Sequence, residues 1–97
     1  MKIEWAAEAA AELDDILSYI AAQNPSAAAL IAERAVVAEE RIQQFPRAGK
    51  YDAETDTHDR FIPNTRIVLT YAIQGETVWI ITTWHTSRDP ETKPISK

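Results

Sequence analysis

The sequence contains no cysteine and only two glycines among its 97 residues. Without cysteine, the chain has no disulfide, no thiolate nucleophile and no zinc–thiolate site. With two glycines and five prolines, long flexible linkers are not expected, and the length suits one domain with one modest core. We therefore predict a single domain over residues 1–97, with a flexible tail from about residue 89.

Long hydrophobic runs and an excess of positive charge are also missing. The N-terminus lacks the apolar stretch of a signal peptide, and no run reaches the length of a membrane span. We therefore expect a cytoplasmic protein that does not contact a membrane. The net charge is −5, whereas proteins that bind nucleic acids usually carry a basic surplus. Direct sequence-specific binding to nucleic acid is not expected either.

The first half of the chain predicts a short strand followed by two helices. Lys2 to Trp5 alternates polar and apolar residues, as a strand does. From about Ala6, apolar residues recur three and four positions apart, which predicts an amphipathic helix. Asn24-Pro25 joins a preferred N-cap residue to a preferred first helical residue, so a second helix is predicted from there to about Phe45. Two helices with so short a link form an antiparallel hairpin.

The second half predicts three strands. After Pro46 a polar connection runs to about Thr57, and strands are predicted over residues 58–63, 66–73 and 77–85, with Gln74-Gly75 as a two-residue hairpin loop. This loop places Tyr71 opposite Val78. It also places Trp79 on the outer face of the sheet and Trp84 on the face that packs against the helices, in the core.

The outer face of this predicted hairpin is unusually apolar. It carries Val68 and Thr70 from one strand beside Trp79 and Ile81 from the other. A face of this kind is normally covered by another part of the domain or by a partner. Because no remaining element is long enough to cover it, the sequence predicts a protein partner there.

Several motifs, in this order along the chain, resemble toxins of the ParE/RelE superfamily, and in particular its ParE branch. They cover roughly residues 2–90: Ile3-Glu4-Trp5 followed by Ala9, Leu13 and Ile16; Asp14 to Tyr19; Asn24-Pro25; Arg41-Ile42-x-x-Phe45-Pro46-x-x-Gly49; Arg60; Leu69-Thr70-Tyr71; and Trp84-His85-x-x-Arg88-Asp89-Pro90. The resemblance implies an α+β fold of the order β-α-α-β-β-β. In it, an antiparallel helical hairpin packs on one face of a mainly antiparallel sheet.

The resemblance also implies a function. It indicates the toxin of a type II toxin–antitoxin system that inhibits DNA gyrase by protein binding, forms a hetero-oligomer with a ParD-like antitoxin and needs no cofactor. Predicted antitoxin-binding residues are Leu13, Leu30, Val37, Val68, Thr70, Trp79 and Ile81. Predicted target-binding residues are Arg60, Arg66, His85 and Arg88.

Two alternatives remain open, and both belong to the same superfamily. A RelE-type toxin cuts mRNA in the ribosome, which requires groups that activate the 2′-hydroxyl, stabilise the phosphorane and protonate the leaving oxygen. Val68 stands where such toxins commonly carry arginine, and no tyrosine follows Tyr71, so no catalytic residues are predicted. The second alternative is a degenerate, non-toxic binding module.

A metal site is not predicted, although one polar segment offers possible ligands. His58 lies close in sequence to the acids Asp52, Glu54, Asp56 and Asp59. Metal ligands usually stand on fixed elements, whereas this segment reads as a solvated loop.

Overall fold

The computed structural model describes residues 1–86, in which two helices pack on one face of a five-stranded sheet. The elements are β1 (Lys2–Trp5), α1 (Ala7–Gln23), α2 (Pro25–Gln44), β2 (Lys50–Asp52), β3 (Thr57–Phe61), β4 (Ile67–Gln74) and β5 (Thr77–His85). The strand order is β1-β5-β4-β3-β2. β1 runs parallel to β5, and all other neighbours are antiparallel. The predicted α+β fold is confirmed, with β2 as one additional strand. Arg88 and the predicted tail lie outside the described residues.

Asn24 forms the junction of the two helices. Its backbone N–H donates to Ile20 O at 2.7 Å and closes α1. Its side-chain Oδ1 accepts from Ala27 N at 3.1 Å and caps α2, whose first residue is Pro25. Because one residue satisfies backbone groups of both helices, the chain reverses without a longer loop.

Replacing Asn24 with alanine will lower the free energy of unfolding by about 1 kcal/mol, the usual cost of a lost N-cap. Urea denaturation of the two proteins measures this difference. Ser26→Ala is the matched control, because Ser26 is exposed in the first turn of α2 and Asn24 supplies the cap. Equal losses in the two variants would show that the cap does not stabilise α2.

Small residues bring the helices close to the sheet. Ala9 of α1 and Ala38 of α2 are completely buried, and Ala35 is 7% exposed. They pack with Ile42 against Ile62, which follows β3, and against helix-facing side chains of β4 and β5, which include Ile67, Leu69, Tyr71, Val78 and Ile80. Because the alanine side chain is short, the helices lie close to the sheet and still leave room for its larger side chains.

Tyr71 is the largest fully buried side chain among the described residues. Its Oη donates a hydrogen bond to Pro46 O at 2.6 Å. This bond links β4, the middle strand of the sheet, to the segment that follows α2. Burial raises the pKa of the Tyr71 hydroxyl above its ordinary value of 10.0, although a hydrogen bond from the Gly49 backbone and the charge of Arg60 oppose that rise.

The raised pKa of Tyr71 predicts a loss of stability at alkaline pH. The folded state favours the neutral phenol, so its contribution is complete below pH 10 and declines as pH rises through the folded-state pKa. Thermal melting between about pH 9 and 11.5 will therefore show a steeper fall for the parent than for Tyr71→Phe. Parallel curves for the two proteins would contradict this assignment.

The β4–β5 hairpin differs from the predicted register. The turn residues are Gly75 and Glu76, and Gln74 pairs with Thr77, so the predicted loop at Gln74-Gly75 is wrong by one position. Tyr71 consequently faces Ile80 instead of Val78. Gly75 has a φ of 60°, which suits the left-handed conformation of such turns.

A β-bulge in β5 reverses the faces of its last residues. Tyr71 pairs with Ile80 but Thr70 pairs with Thr82, so Ile81 is the extra residue. Beyond the bulge, Thr83 Oγ1 donates to Ala9 O of α1 at 3.1 Å, and Trp84 Nε1 donates to Thr70 Oγ1 at 2.9 Å. Thr83 therefore faces the helices and Trp84 lies on the outer face. The prediction of Trp84 in the core, opposite to Trp79, is wrong.

Glu12 of α1 explains why the bulge is stable. β1 ends at Trp5, so within residues 1–86 no strand pairs with this edge of β5 beyond Ile80. The Glu12 carboxylate accepts there from Thr82 Oγ1 at 2.8 Å and from Thr83 N at 3.2 Å. The side chain of a helix thus replaces the missing strand.

The additional strand β2 occupies the predicted polar connection. Lys50, Tyr51 and Asp52 pair antiparallel with residues 57–59 of β3. Three residues of mixed polarity show too little alternation of polar and apolar side chains to predict a strand.

Within residues 1–86, neither helix is long and apolar enough to cross a membrane.

Candidate functional site

The outer face of the sheet is more buried than its sequence predicts. Val68 is 2% exposed and Thr70 is fully buried. Thr70 Oγ1 accepts from Trp84 Nε1 and donates to Asp59 Oδ1 at 2.7 Å, so three side chains form one hydrogen-bonded row across the face. Trp79 is more accessible than Val68 and Thr70, with 38% of its surface exposed, and Ile81 is half-buried. The expected free apolar face is therefore absent at Val68 and Thr70.

The helical residues predicted to bind the antitoxin fall into two groups. Leu13 is half-buried and packs against the core, so it has little surface left for a partner. Leu30 and Val37 lie on the open side of α2 and are 45% and 38% exposed. A partner can therefore reach Leu30 and Val37 without any rearrangement of the fold.

The structure separates the predicted target-binding residues. Arg60 is half-buried on the helix-facing side of β3, where its charge acts on Tyr71. Arg66 and His85 lie together beside the start of β4, and Thr86 N donates to Arg66 O there at 2.8 Å. Arg60 pairs with Leu69 and His85 with Ile67, so β4 lies between Arg60 and His85. Arg88 is outside the described residues.

Arg66 and His85 line an open cleft of about 460 Å³ between the helical hairpin and the start of β4. We call it the hairpin cleft. Its lining residues are Ile20, Ala27, Leu30, Ile31, Arg34, Asn64, Thr65, Arg66, Ile67 and His85. The floor is apolar, and the polar groups stand around it, which is the usual construction of a binding groove.

The hairpin cleft continues along α2 as a stripe of alternating apolar and cationic residues. Leu30, Arg34, Val37 and Arg41 are spaced by four, three and four residues, so they share one side of the helix. Leu30 and Arg34 belong to both the cleft and this α2 stripe. The cleft alone has room for one anchoring side chain of a partner, whereas the α2 stripe extends the surface along the helix.

The electrostatics of the hairpin cleft differ from those of the whole chain. The protein has 15 acidic and 10 basic residues, yet none of the ten cleft residues is acidic, and two are arginines. Such a surface favours an amphipathic segment whose apolar side chains fill the floor and whose carboxylates meet the guanidinium groups. The sequence prediction included Arg66 and His85 but did not single out Arg34. The spacing of the α2 stripe is the signal that indicates it.

The cluster around His58 does not form a metal site. Within residues 1–86, no group of three or more histidine, aspartate or glutamate side chains is arranged to hold a metal ion. Asp59 and His58 are neighbours on β3 and lie on opposite faces of the sheet, because Asp59 bonds to Thr70 while His58 stacks on Tyr71. The alternation of strand side chains therefore separates these candidate ligands.

Fold and surface together define a small α+β protein with a cationic, apolar-floored cleft. The model of the ParE toxin family, described as the ParE toxin of the type II toxin–antitoxin system parDE, matches residues 3–90. The chain therefore belongs to the ParE toxin family. Among solved structures it is similar to a chain of the chromosomal ParDE toxin–antitoxin system from P. aeruginosa, with 18% identity and a TM-score of 0.75. That match covers 88% of this chain and 95% of the other, and it shows the shared fold. The comparison with curated proteins gives no match.

Proposed function

We propose that this toxin inhibits DNA gyrase by protein binding, and that a ParD-like antitoxin neutralises it by covering the hairpin cleft and the α2 stripe. Family membership supports the toxin class. The single observation that supports the antitoxin surface is the exposure of Leu30 and Val37 beside the arginines of an otherwise acidic chain.

The shape of the surface supports a particular mode of antitoxin binding. The α2 stripe presents Leu30 and Val37 seven residues apart, a distance of about 10 Å along a helix. A helical or extended antitoxin segment along α2 reaches both with successive apolar residues and places one of them in the hairpin cleft. Its carboxylates then pair with Arg34 and Arg66. This mode of binding reuses the helix-in-groove geometry of many regulatory complexes.

Catalysis of RNA cleavage is less well supported by the same geometry. General acid–base chemistry needs its groups within hydrogen-bond reach of one reacting phosphate. Here β4 lies between Arg60 and His85, and the centre of the outer face carries the buried Val68 and Thr70. The described residues thus favour binding over a ribosome-dependent endonuclease.

A supercoiling assay with purified gyrase tests the proposed target. Added toxin will reduce supercoiling and cause cleaved DNA to accumulate on the enzyme, and an equimolar antitoxin will reverse both effects. In a parallel translation extract, mRNA will remain uncut. Unchanged supercoiling at high toxin concentration contradicts the gyrase proposal, and codon-positioned mRNA cuts favour the endonuclease alternative.

Expression without the antitoxin distinguishes a toxin from a degenerate binding module. We expect growth arrest with induction of the DNA-damage response, and rescue by co-expression of the antitoxin. Normal growth at a verified level of folded protein would favour the non-toxic module.

A further inference from the structure

His58 occupies the middle of an aromatic row that crosses three strands. It pairs with Tyr51 of β2 on one side and Tyr71 of β4 on the other. Its ring lies 4.9 Å from that of Tyr51 and is stacked 5.3 Å from that of Tyr71. The row places the imidazole between a fully buried phenol and one that is 53% exposed.

The two hydroxyl groups of this row have hydrogen-bond partners, whereas the buried imidazole nitrogen Nδ1 has none within residues 1–86. Tyr71 Oη donates to Pro46 O, and Tyr51 Oη donates to Asp56 Oδ1 at 2.8 Å. His58 is only 7% exposed, and its buried Nδ1 has no hydrogen-bond partner in the described structure. Leaving such an atom unpaired is unfavourable, so a hydrogen-bond donor from outside the domain is favoured beside it.

His58 also lines an open pocket beside the row. Its walls are Arg47, Tyr51, Asp56, His58 and Ile73, and its volume is about 350 Å³. We call it the His58 pocket. This volume is at the lower end for small-molecule sites and suits one long side chain better than a whole helix or strand.

We propose that the His58 pocket binds one guanidinium or ammonium side chain of a protein partner. Neutral imidazole with the proton on Nε2 presents Nδ1 as an acceptor, and the Asp56 carboxylate supplies a second acceptor in the same pocket. The exposed ring of Tyr51 adds a π face for a cation. The site is separate from the hairpin cleft, whose lining residues are entirely different.

The local charge favours a cation over an anion. The hydrogen bond to Asp56 raises the pKa of the Tyr51 hydroxyl, and the negative charge of Asp52 acts in the same direction. Asp56 lines the pocket, and Asp52, which is not a pocket residue, adds negative charge beside Tyr51; a cation is opposed by Arg47, the one basic residue of the pocket lining. Arg47 is exposed, so its guanidinium remains solvated when a second cation binds.

NMR of the imidazole groups in the full chain tests the proposal with three small probes. These are N-acetyl-arginine amide, N-acetyl-lysine amide and N-acetyl-glutamate amide, titrated at about pH 8, where an unperturbed histidine is neutral. The chain has only two histidines, so His85 serves as an internal reference. We expect saturable shifts of the His58 resonances with the arginine or lysine probe and none with the glutamate probe.

Asp56→Asn is the diagnostic variant. Asp56 has a φ of 54°, a conformation that asparagine adopts readily, so this change removes the charge and keeps the fold. Loss of one charge-assisted hydrogen bond will weaken binding of the cationic probe about tenfold. Glu40→Gln, which neutralises an exposed acid of α2, will leave binding unchanged.

Three results would overturn the assignment. They are binding of the glutamate probe as tightly as the cations, no shift of His58 with any probe, and equal affinity in Asp56→Asn and the parent. Because the probes are small molecules, these outcomes do not depend on gyrase or on the antitoxin.

Discussion

Reversing two charges at the hairpin cleft, in the double variant Arg34→Glu/Arg66→Glu, will weaken antitoxin binding by about a hundredfold or more. In the proposed complex of the parent, carboxylates of the antitoxin meet the guanidinium groups of Arg34 and Arg66, which line the cleft. In the variant they meet two carboxylates, and juxtaposed like charges cost several kcal/mol, whereas a hundredfold loss corresponds to about 2.7 kcal/mol. Isothermal titration calorimetry measures the loss of antitoxin affinity. Titrations at low and at physiological salt show how far salt screens the repulsion.

Lys50→Glu provides the control for this variant. Lys50 is an exposed cation on β2, at the far edge of the sheet from β1, so its reversal changes the net charge without touching the cleft. Its affinity will stay within about threefold of the parent, a change of less than 0.7 kcal/mol. Lys50→Glu changes the net charge by two units and the double variant by four. A loss of binding free energy in Lys50→Glu about half that of the double variant would therefore show that antitoxin binding depends on net charge alone, and an unchanged affinity in the double variant would exclude the cleft.

Gly49→Ala will be the most destabilising of the single substitutions considered, with a loss of about 2–4 kcal/mol. A Cβ at this position lies 2.5 Å from Tyr71 Oη and 2.9 Å from Asp59 O. Neither atom can easily move, because Tyr71 is fully buried and hydrogen-bonded to Pro46 O, and Asp59 O belongs to the backbone of β3. Urea denaturation followed by circular dichroism measures the loss.

A double-mutant cycle isolates the cause of that loss. Tyr71→Phe removes the Oη that the new methyl group meets first. The cost of Gly49→Ala will therefore be smaller in the Tyr71→Phe background by at least about 1 kcal/mol. Additive losses would show that the clash with Tyr71 is not responsible. Gly75→Ala offers a contrast, since nothing lies within 4 Å there and only its φ of 60° opposes a side chain.

The sequence predicts the parts of the fold that depend on local patterns. β1, β5 and the Asn24-Pro25 junction lie where the sequence places them, because strand alternation and an N-cap are local signals. The short strand β2 is missed, since its pairing with β3 and not its own composition makes it a strand.

The register of β5 shows where local reasoning fails. The bulge at Ile81 is stabilised by Glu12, which lies about seventy residues earlier in the chain, so no feature of the hairpin itself predicts it. That one extra residue moves Trp84 to the outer face, where it contacts Thr70. Because side chains alternate along a strand, one bulge reassigns every later residue to the opposite face.

The candidate site is predictable only in part for a related reason. Arg66 and His85 are recognisable as polar residues at the ends of strands, and the structure brings them together. Arg34 becomes a site residue only when α2 packs its alanine face on the sheet and leaves the opposite side open. Conversely, Val68 and Thr70 read as exposed but are buried, because the bulge brings Trp84 across to Thr70.

Cross-saturation NMR of the toxin–antitoxin complex tests the proposed surface most directly. Deuterated toxin with protonated methyl groups is bound to protonated antitoxin, and saturation then passes only to methyl groups at the interface. We expect the largest losses at Leu30, Ile31 and Val37, which lie in the hairpin cleft or on the α2 stripe. Losses confined to Ile81 and other methyl groups of the sheet, with Leu30 and Val37 unaffected, would contradict the account.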